Sequence, residues 1–194
     1  KKNRKVVAIS RSHDQNILKL RNRYKLLKVI SLKKFNKQNY SKIVTKYKFK
    51  YIFFFAGYSK IPKSNKEKNI CKISNFRIFK DLLEVCEKKK IRPKILYTSS
   101  GEIFGSNQYI KKTENSKLVS NNCYAQCKIK LTSLINDYRK FKKFFIVNAI
   151  CYNHESIFTP KNHLLRKLIN KFHDKKNYSI AISNPFEKRN ISHT

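Results

Sequence analysis

The sequence is poor in the residues that make tight turns and break helices. It contains 3 glycines, 4 prolines and no methionine among its 194 residues. Glycine supplies left-handed backbone and proline fixes a turn dihedral, so the chain must turn mostly without them. Lys, Asn, Ile, Phe and Tyr are the residues used instead. Because no methionine is present, we expect the sequence to begin downstream of the true start of its protein.

Long apolar segments are also missing. No run approaches the ~20 apolar residues that a membrane-spanning helix requires, and no signal peptide is recognisable. The sequence therefore predicts neither a membrane span nor secretion.

The cysteines are odd in number and irregularly spaced. Cys123 and Cys127 have the spacing of half a metal site, but no second pair or nearby Cys/His cluster completes a tetrahedral set. We therefore predict no metal, reduced thiols and a cytoplasmic location. The five cysteines are Cys71, Cys86, Cys123, Cys127 and Cys151.

Positive charge is abundant: 46 Lys and Arg against 11 Asp and Glu give a formal net charge of +35. Such a chain would attract polyanions through counterion release. The alternative is a hydrated, lysine-rich surface without a specific partner, and we favour it because the lysines interrupt nearly every segment. A nucleic-acid module more often gathers its charge on one face. We expect no specific nucleic-acid partner.

The length and the 40% hydrophobic content predict one folded domain with a sizeable core. Strands are predicted at 6–9, 26–30, 95–97 and 144–149, and a fully buried parallel strand at 51–55. Helices are predicted at 37–47 and 69–90, from Tyr124 through Tyr138, and around Arg166 and Lys167.

The stretch from Ile95 to Lys128 carries the candidate chemistry. An apolar run ends in hydroxyl residues and Glu102, and Tyr124 and Lys128 follow four residues apart. On a helix these two share a face, so the ammonium is expected to lower the phenol pKa toward the useful range. Alone this spacing is a weak signal in so basic a chain, and Glu102 has the alternative of a surface charge beside a turn.

Three fragments together resemble the extended short-chain dehydrogenase/reductase family, and within it the nucleotide-sugar 4,6-dehydratases, GDP-mannose 4,6-dehydratase above the others. They are Thr98-Ser-Ser-Gly-Glu-Ile-Phe-Gly105, Tyr124-x-x-x-Lys128, and Asn148 to Ser156 with its Asn-His-Glu-Ser ending. The resemblance implies an α/β fold, a Rossmann-like doubly wound parallel sheet with flanking helices, incomplete at both ends. Residues 1–150 would form a partial NAD(P)-binding domain and residues 151–194 the start of the sugar-nucleotide-binding region.

The resemblance also implies the binding residues. Arg11 would contact the 2'-phosphate of NADP, although it has the alternative of a surface cation, and Gly57 has the alternative of simply ending a strand. Asn153 and Arg189 would bind the nucleotide sugar. The residues implied for NADP or NAD are Arg11, Leu32, Phe55, Ala56, Gly57, Ser59, Lys128 and His154.

Two departures from the family pattern weaken the expected cofactor site. Nothing matches Gly-x-x-Gly-x-x-Gly, the loop that holds the pyrophosphate. Ile157-Phe158-Thr159 stand where the family has Pro-Arg-Arg, which removes an anion-binding fork.

The implied reaction is the dehydration of a nucleotide sugar, GDP-mannose in the first instance, to its 4-keto-6-deoxy derivative. Tyr124 would be the base for the 4-hydroxyl proton, Lys128 its neighbouring cation, Ser100 the hydrogen-bond donor to the C4 oxygen, and Glu102 the base for the C5 proton. A nucleotide-sugar epimerase, a noncatalytic remnant and a basic polyanion-binding protein remain as alternatives. The oligomeric state stays open at this point. Relatives commonly associate through helices such as those near residues 70–90 and 121–141, so a homo-oligomer is one alternative that the resemblance implies.

Overall fold

The computed structural model describes residues 4–11, 23–58, 60–105, 111–156, 159, 163–173 and 191–193. The strands are β1 (Val6–Ser10), β2 (Leu27–Ser31), β3 (Tyr51–Phe54), β4 (Lys94–Thr98), β5 (Ile146–Ala149), β6 (Asn153–Glu155) and β7 (Ile191–His193). The α-helices are α1 (Lys37–Tyr47), α2 (Asn65–Lys72), α3 (Ile78–Lys88), α4 (Cys123–Phe141) and α5 (Leu164–His173). A π-helical turn, Ile73–Arg77, joins α2 to α3, and a 3-10 turn, Gly101–Phe104, follows β4.

Every strand pairing that the structure describes is parallel. β4 lies between β3 and β5, β1 pairs with β2, and β6 pairs with β7. Helices connect successive strands of the central sheet, as parallel strands require. The carboxyl ends of β3, β4 and β5 therefore meet at one edge, which we call the catalytic edge after the candidate catalytic residues predicted to follow β4. The predicted α/β class with parallel sheets and flanking helices is confirmed.

Local capping sets the bounds of α1. The Asn36 side chain accepts a hydrogen bond from the Asn39 amide at 2.9 Å, and Lys48 adopts the left-handed conformation and donates to Val44. These are ordinary start and stop devices of a helix. The predicted range of 37–47 is confirmed without a shift.

The helical segment between β3 and β4 differs from the single helix predicted at 69–90. It begins at Asn65, because Ser64 and Glu67 form a capping box, and the π-helical turn interrupts it. The turn inserts one residue into the helical repeat, so the faces of α2 and α3 are offset.

Aromatic residues from β3, β4 and α3 form the centre of the core. The ring of Phe79 lies 4.7 Å from that of Phe54 and 4.6 Å from that of Tyr97. Leu131 and Ile135 of α4 are fully buried beside them. The core thus fixes α3 and α4 against one face of the central sheet.

The other face of the sheet is open, which corrects the prediction of a fully buried third strand. Phe53 is 64% exposed, Phe55 69% and Phe145 59%, whereas Phe54 between the first two is 7% exposed. Successive side chains of a strand point to opposite faces, so a run apolar on both faces need not be covered on both.

None of the helices in the described residues combines the length and the apolar character that a membrane-spanning helix needs.

Candidate active site

At the catalytic edge, the segment that follows β4 is hydrogen-bonded to the segment that follows β5. The amide of Ser99 donates to Ala149 at 2.7 Å, and that of Gly101 donates to Cys151 at 3.0 Å. These bonds continue the β4–β5 ladder beyond the strands. A Cβ on Gly101 would lie 2.6 Å from the ring of Tyr152, so only glycine allows this close approach. The exit of β5 is therefore fixed against the hydroxyl cluster.

Ser100 is positioned by the turn that follows it. Its hydroxyl oxygen accepts a hydrogen bond from the Glu102 amide at 3.3 Å and so caps the 3-10 turn. This arrangement holds the Ser100 hydroxyl at the edge and presents Glu102, which is exposed, immediately above it.

Tyr124 reaches the same place from the first turn of α4. The Asn122 side chain starts this helix by accepting from the Ala125 amide at 2.8 Å. Burial raises the pKa of Tyr124 above its ordinary value, and the nearby Glu102 carboxylate adds to the rise. A hydrogen bond from the Ser100 hydroxyl acts in the opposite direction. Ser100, Glu102 and Tyr124 therefore lie together.

Lys128 lies under the tyrosine and is almost completely buried, at 4% exposure. Its Nζ donates to the carbonyl of Thr98 at 2.8 Å, and it lies 4.7 Å from the ring centroid of Tyr97 and 5.6 Å from that of Tyr124. Burial lowers the pKa of this ammonium to about 8. The thiols of Cys151, Cys127 and Cys71 partly offset that effect.

The direction of the Tyr124 pKa shift corrects the expectation drawn from the Tyr-x-x-x-Lys spacing. We expected Lys128 to lower this pKa, but desolvation dominates and raises it. Lys128 is held by Thr98 and faces the tyrosine ring. Among the groups that shift this pKa, Ser100 is the one that favours the phenolate.

The residues expected to contact the cofactor along β3 are placed at the edge. Phe55, Ala56 and Gly57 follow β3 directly and are exposed, whereas Ser59 lies outside the described residues. A Cβ on Gly57 would lie 2.5 Å from Oδ1 of Asn75, so this glycine is required by the packing of Asn75.

Asn75 was not found by sequence reasoning. It is 2% exposed and lies in the π-helical turn, where its side chain accepts from the Tyr58 amide at 3.1 Å and donates to the Tyr58 carbonyl at 2.9 Å. The loop after β3 is thereby fixed to the helix behind it. The π-helical offset at 73–77 brings Asn75 next to Tyr58, and no sequence signal predicted that offset.

Arg11 and Leu32 lie side by side at the carboxyl ends of β1 and β2. The Leu32 amide donates to the Ser10 carbonyl at 2.8 Å, and Arg11 is exposed next to it. Asn153 and His154 are exposed in β6, where they pair with Ile191 and Ser192 of β7. Arg189 lies outside the described residues.

The edge partly fits a nicotinamide cofactor. Phe55, Ala56 and Gly57 after β3 are exposed, and the Lys128 ammonium has three N–H donors, of which Thr98 uses one. The 194 residues have no glycine-rich loop for the pyrophosphate. The residues present therefore fit the nicotinamide end of the cofactor and do not supply a pyrophosphate clamp.

The cysteine pattern also changes once the chain is folded. Cys71 at the end of α2 approaches Cys123 and Cys127 of α4, and the three sulfur atoms lie within 4.8 Å of one another. Folding therefore adds a third thiol to the Cys123–Cys127 pair, but no fourth Cys, His, Asp or Glu of the described residues completes a tetrahedral set, and the expectation of no metal stays a prediction. Burial raises the pKa of Cys127 to about 12. A separation of more than fifty residues conceals this cluster in the sequence.

Three solved structures that share this fold are two 4-epimerases and one 4,6-dehydratase of nucleotide sugars. UDP-N-acetylglucosamine 4-epimerase of Methanobrevibacter ruminantium is 18% identical with a TM-score of 0.80, over 97% of this chain and 61% of that one. UDP-glucuronic acid 4-epimerase of Bacillus cereus, solved as a variant with NAD, is 15% identical with a TM-score of 0.82, over 97% and 61%. dTDP-glucose 4,6-dehydratase of Streptomyces venezuelae, solved with NAD, is 16% identical with a TM-score of 0.76, over 88% and 53%.

The chain thus spans 61% or less of the length of these three proteins. No curated protein sequence matches it. The family model described as "NAD dependent epimerase/dehydratase family" matches residues 1–189. Because this match takes in nearly the whole sequence, the chain belongs to the NAD dependent epimerase/dehydratase family.

Proposed function

We propose that this chain carries the catalytic edge of a nucleotide-sugar 4,6-dehydratase that uses NADP or NAD, with GDP-mannose as the first substrate to test. The observation that carries the proposal is the meeting of Ser100, Glu102, Tyr124 and Lys128 at the end of β4. Residues 151–194 would begin the region that binds the sugar nucleotide, through Asn153 and Arg189.

The cofactor would be held by Arg11 and Leu32 near its adenosine end, by the backbone after β3, and by Lys128 and His154 near the nicotinamide. When bound, it would supply a reversible hydride acceptor for the sugar. All proton transfers fall to residues of this chain.

Tyr124 would take the proton of the sugar 4-hydroxyl. The Ser100 hydroxyl favours the phenolate and would also donate to the C4 oxygen as it becomes a carbonyl. Lys128 is a positioning residue here, because its ammonium donates a hydrogen bond to the Thr98 carbonyl and also faces the ring of Tyr124.

Glu102 distinguishes a dehydratase from a simple reductase or epimerase. A 4-keto group acidifies the C5 hydrogen, and a carboxylate at the open edge would remove this proton and pass it to the C6 hydroxyl, which leaves as water. Addition of hydride from the reduced cofactor to C6 and of a proton from solvent to C5 would complete the 4-keto-6-deoxy sugar. Glu102 is exposed at that edge and close enough to Tyr124 to shift its pKa. Its carboxylate group and its exposed position near Tyr124 both support Glu102 as the base at C5.

A nucleotide-sugar 4-epimerase is the second candidate. It is favoured by the two epimerase structures, which share the fold over 97% of this chain. An epimerase would use Tyr124 and Ser100 in the same way but would not need a base at C5.

Product analysis distinguishes the candidates. The protein is incubated with NADP or NAD and with GDP-mannose, UDP-glucose or dTDP-glucose, and the products are separated and identified by NMR. A 4-keto-6-deoxy sugar supports the dehydratase, whereas inversion at C4 alone supports the epimerase. No turnover of any substrate, with the fold intact by circular dichroism, would favour the noncatalytic remnant.

A further inference from the structure

The cluster formed by Cys71, Cys123 and Cys127 lies behind the catalytic edge. Cys71 comes from the last turn of α2, whereas Cys123 and Cys127 occupy the first two turns of α4. Their sulfur atoms lie within 4.8 Å of one another, and no other Cys, His, Asp or Glu of the described residues joins the group. All three cysteines are free thiols.

The spacing of the sulfur atoms suits a metal ion. In tetrahedral coordination, Zn–S bonds of about 2.3 Å put the sulfurs about 3.8 Å apart. The observed upper limit of 4.8 Å therefore requires the sulfurs to approach one another by about 1 Å at most, which side-chain rotation can supply. Three sulfur ligands select soft cations such as Zn²⁺ over hard ones such as Mg²⁺ or Ca²⁺.

The surroundings provide support and access. Nδ2 of Asn75 donates to the Cys71 sulfur at 3.2 Å, an outer-shell hydrogen bond of the kind that orients a metal ligand. Cys71 and Cys127 are buried, whereas Cys123 is only half-buried and leaves an entry path on one side.

The local charge also favours an anionic cluster. Three thiolates around Zn²⁺ carry a net charge of −1, and the residue that follows Cys127 in α4 is Lys128, whose ammonium is buried. Among the described residues, none of the ion pairs with a carboxylate includes Lys128. A loaded site would place a compensating charge beside it.

We propose that Cys71, Cys123 and Cys127 form a three-thiolate binding site for one Zn²⁺ ion, with a fourth position left to water. The site joins α2 to α4 directly behind Tyr124, so the ion would stabilise the helix that presents the catalytic tyrosine. This site is independent of the reaction proposed above, because it requires no nucleotide sugar and no cofactor.

The test begins with Zn²⁺ binding to the reduced, chelator-treated chain, measured by competition with a colorimetric zinc chelator. We expect one equivalent to bind. Cys71→Ser, Cys123→Ser and Cys127→Ser should each weaken the affinity more than about 100-fold, beyond the loss reported for outer-shell partners alone. Cys151→Ser and Cys86→Ala are the matched controls and should retain wild-type affinity.

Alkylation with iodoacetamide followed by mass spectrometry gives an independent result. Compared with the metal-free chain, bound Zn²⁺ should protect the three cluster cysteines from alkylation and leave Cys151 reactive. This measurement uses the wild-type chain, so it does not depend on whether a variant with a buried substitution folds. Cys123→Ser, the least buried substitution, keeps the affinity test available if such a variant does not fold. Absence of stoichiometric binding, equal affinity in Cys123→Ser, or oxidation of the cluster to a disulfide with no metal uptake would overturn the proposal.

Discussion

The ammonium of Lys128 lies 5.6 Å from the centroid of the Tyr124 ring, one helical turn further along α4. It faces the ring while its hydrogen bond goes to the Thr98 carbonyl at 2.8 Å. The lysine therefore connects α4 to the end of β4 and helps to position Tyr124 relative to the sheet. A hydrogen bond with the Ser100 hydroxyl lowers the pKa of Tyr124 against the larger effect of burial.

Replacing Tyr124 by Phe should separate its chemical role from its packing role. The ring and its contact with Lys128 are kept, whereas the hydroxyl that exchanges the proton is lost. We expect turnover of the nucleotide sugar to fall about 10²- to 10⁴-fold, the range for a general base. Product formation measures this, and Tyr47→Phe, on α1, should leave the rate unchanged. Wild-type turnover in Tyr124→Phe would remove the proposed role.

Replacing Glu102 by Gln should stop the reaction after oxidation at C4. The amide keeps the shape of the side chain but cannot remove the C5 proton. We therefore expect the 4-keto sugar to form without loss of water, which incubation in D₂O checks by the absence of deuterium at C5. Glu114→Gln, another exposed carboxylate, is the control. Normal 4-keto-6-deoxy product from Glu102→Gln would contradict the assignment.

Binding of NADPH by these 194 residues alone should be weak. Oriented backbone amides of a glycine-rich loop normally hold the pyrophosphate, and the sequence has no such loop. Titration calorimetry with the isolated chain measures the affinity, and NADH serves as the comparison for the 2'-phosphate contact of Arg11. A submicromolar dissociation constant would show that another group supplies the clamp.

The parts of the structure that local signals determine could be predicted from the sequence. The bounds of α1 follow from Asn36 and from the apolar spacing within the helix, and β4 and α4 follow in the same way. The sequence order also places Ser100 and Glu102 directly after β4 and Tyr124 in the first turn of α4, whereas the catalytic roles of these residues stay predictions.

What depends on tertiary packing could not be predicted. The offset in the π-helical turn places Asn75 against Tyr58, and the packing of α2 on α4 brings Cys71 to a pair of cysteines far away in sequence. The pKa of Tyr124 has the same origin. The four-residue spacing predicts that Tyr124 lies near Lys128, but burial sets the direction in which the pKa of Tyr124 shifts.

The two faces of β3 offer a matched test of the fold. Phe54 is in the core with its ring 4.7 Å from Phe79, whereas its neighbour Phe53 is 64% exposed and stacks only on Phe55. We expect Phe54→Ala to lower the free energy of unfolding by about 3–5 kcal/mol. Phe53→Ala should lower it by less than about 1.5 kcal/mol, the upper range for an aromatic pair. Urea unfolding of both variants measures the difference, and equal losses would mean that the open face is covered.

Glu84 should make the stability depend on pH in the acid range. Its carboxylate contacts the Lys37 ammonium at 2.5 Å and that of Lys80 at 3.1 Å, and the hydrogen bond from Lys37 is the main reason that its pKa is lowered. A carboxyl with a lowered folded-state pKa contributes its full stabilisation above the unfolded-state pKa. That contribution is lost as the pH falls through the folded-state pKa.

Glu84→Gln should therefore be less stable than the wild type near neutral pH, and the difference should shrink as the pH falls below the ordinary carboxyl range. Comparing variants in this way cancels the general repulsion in a chain of net charge +35. Urea unfolding at a series of pH values provides the measurement. Glu114→Gln serves as the control, since its carboxylate takes part in none of the ion pairs of the described residues. A Glu84→Gln difference that stayed constant with pH would show that the contacts with Lys37 and Lys80 do not stabilise the folded state.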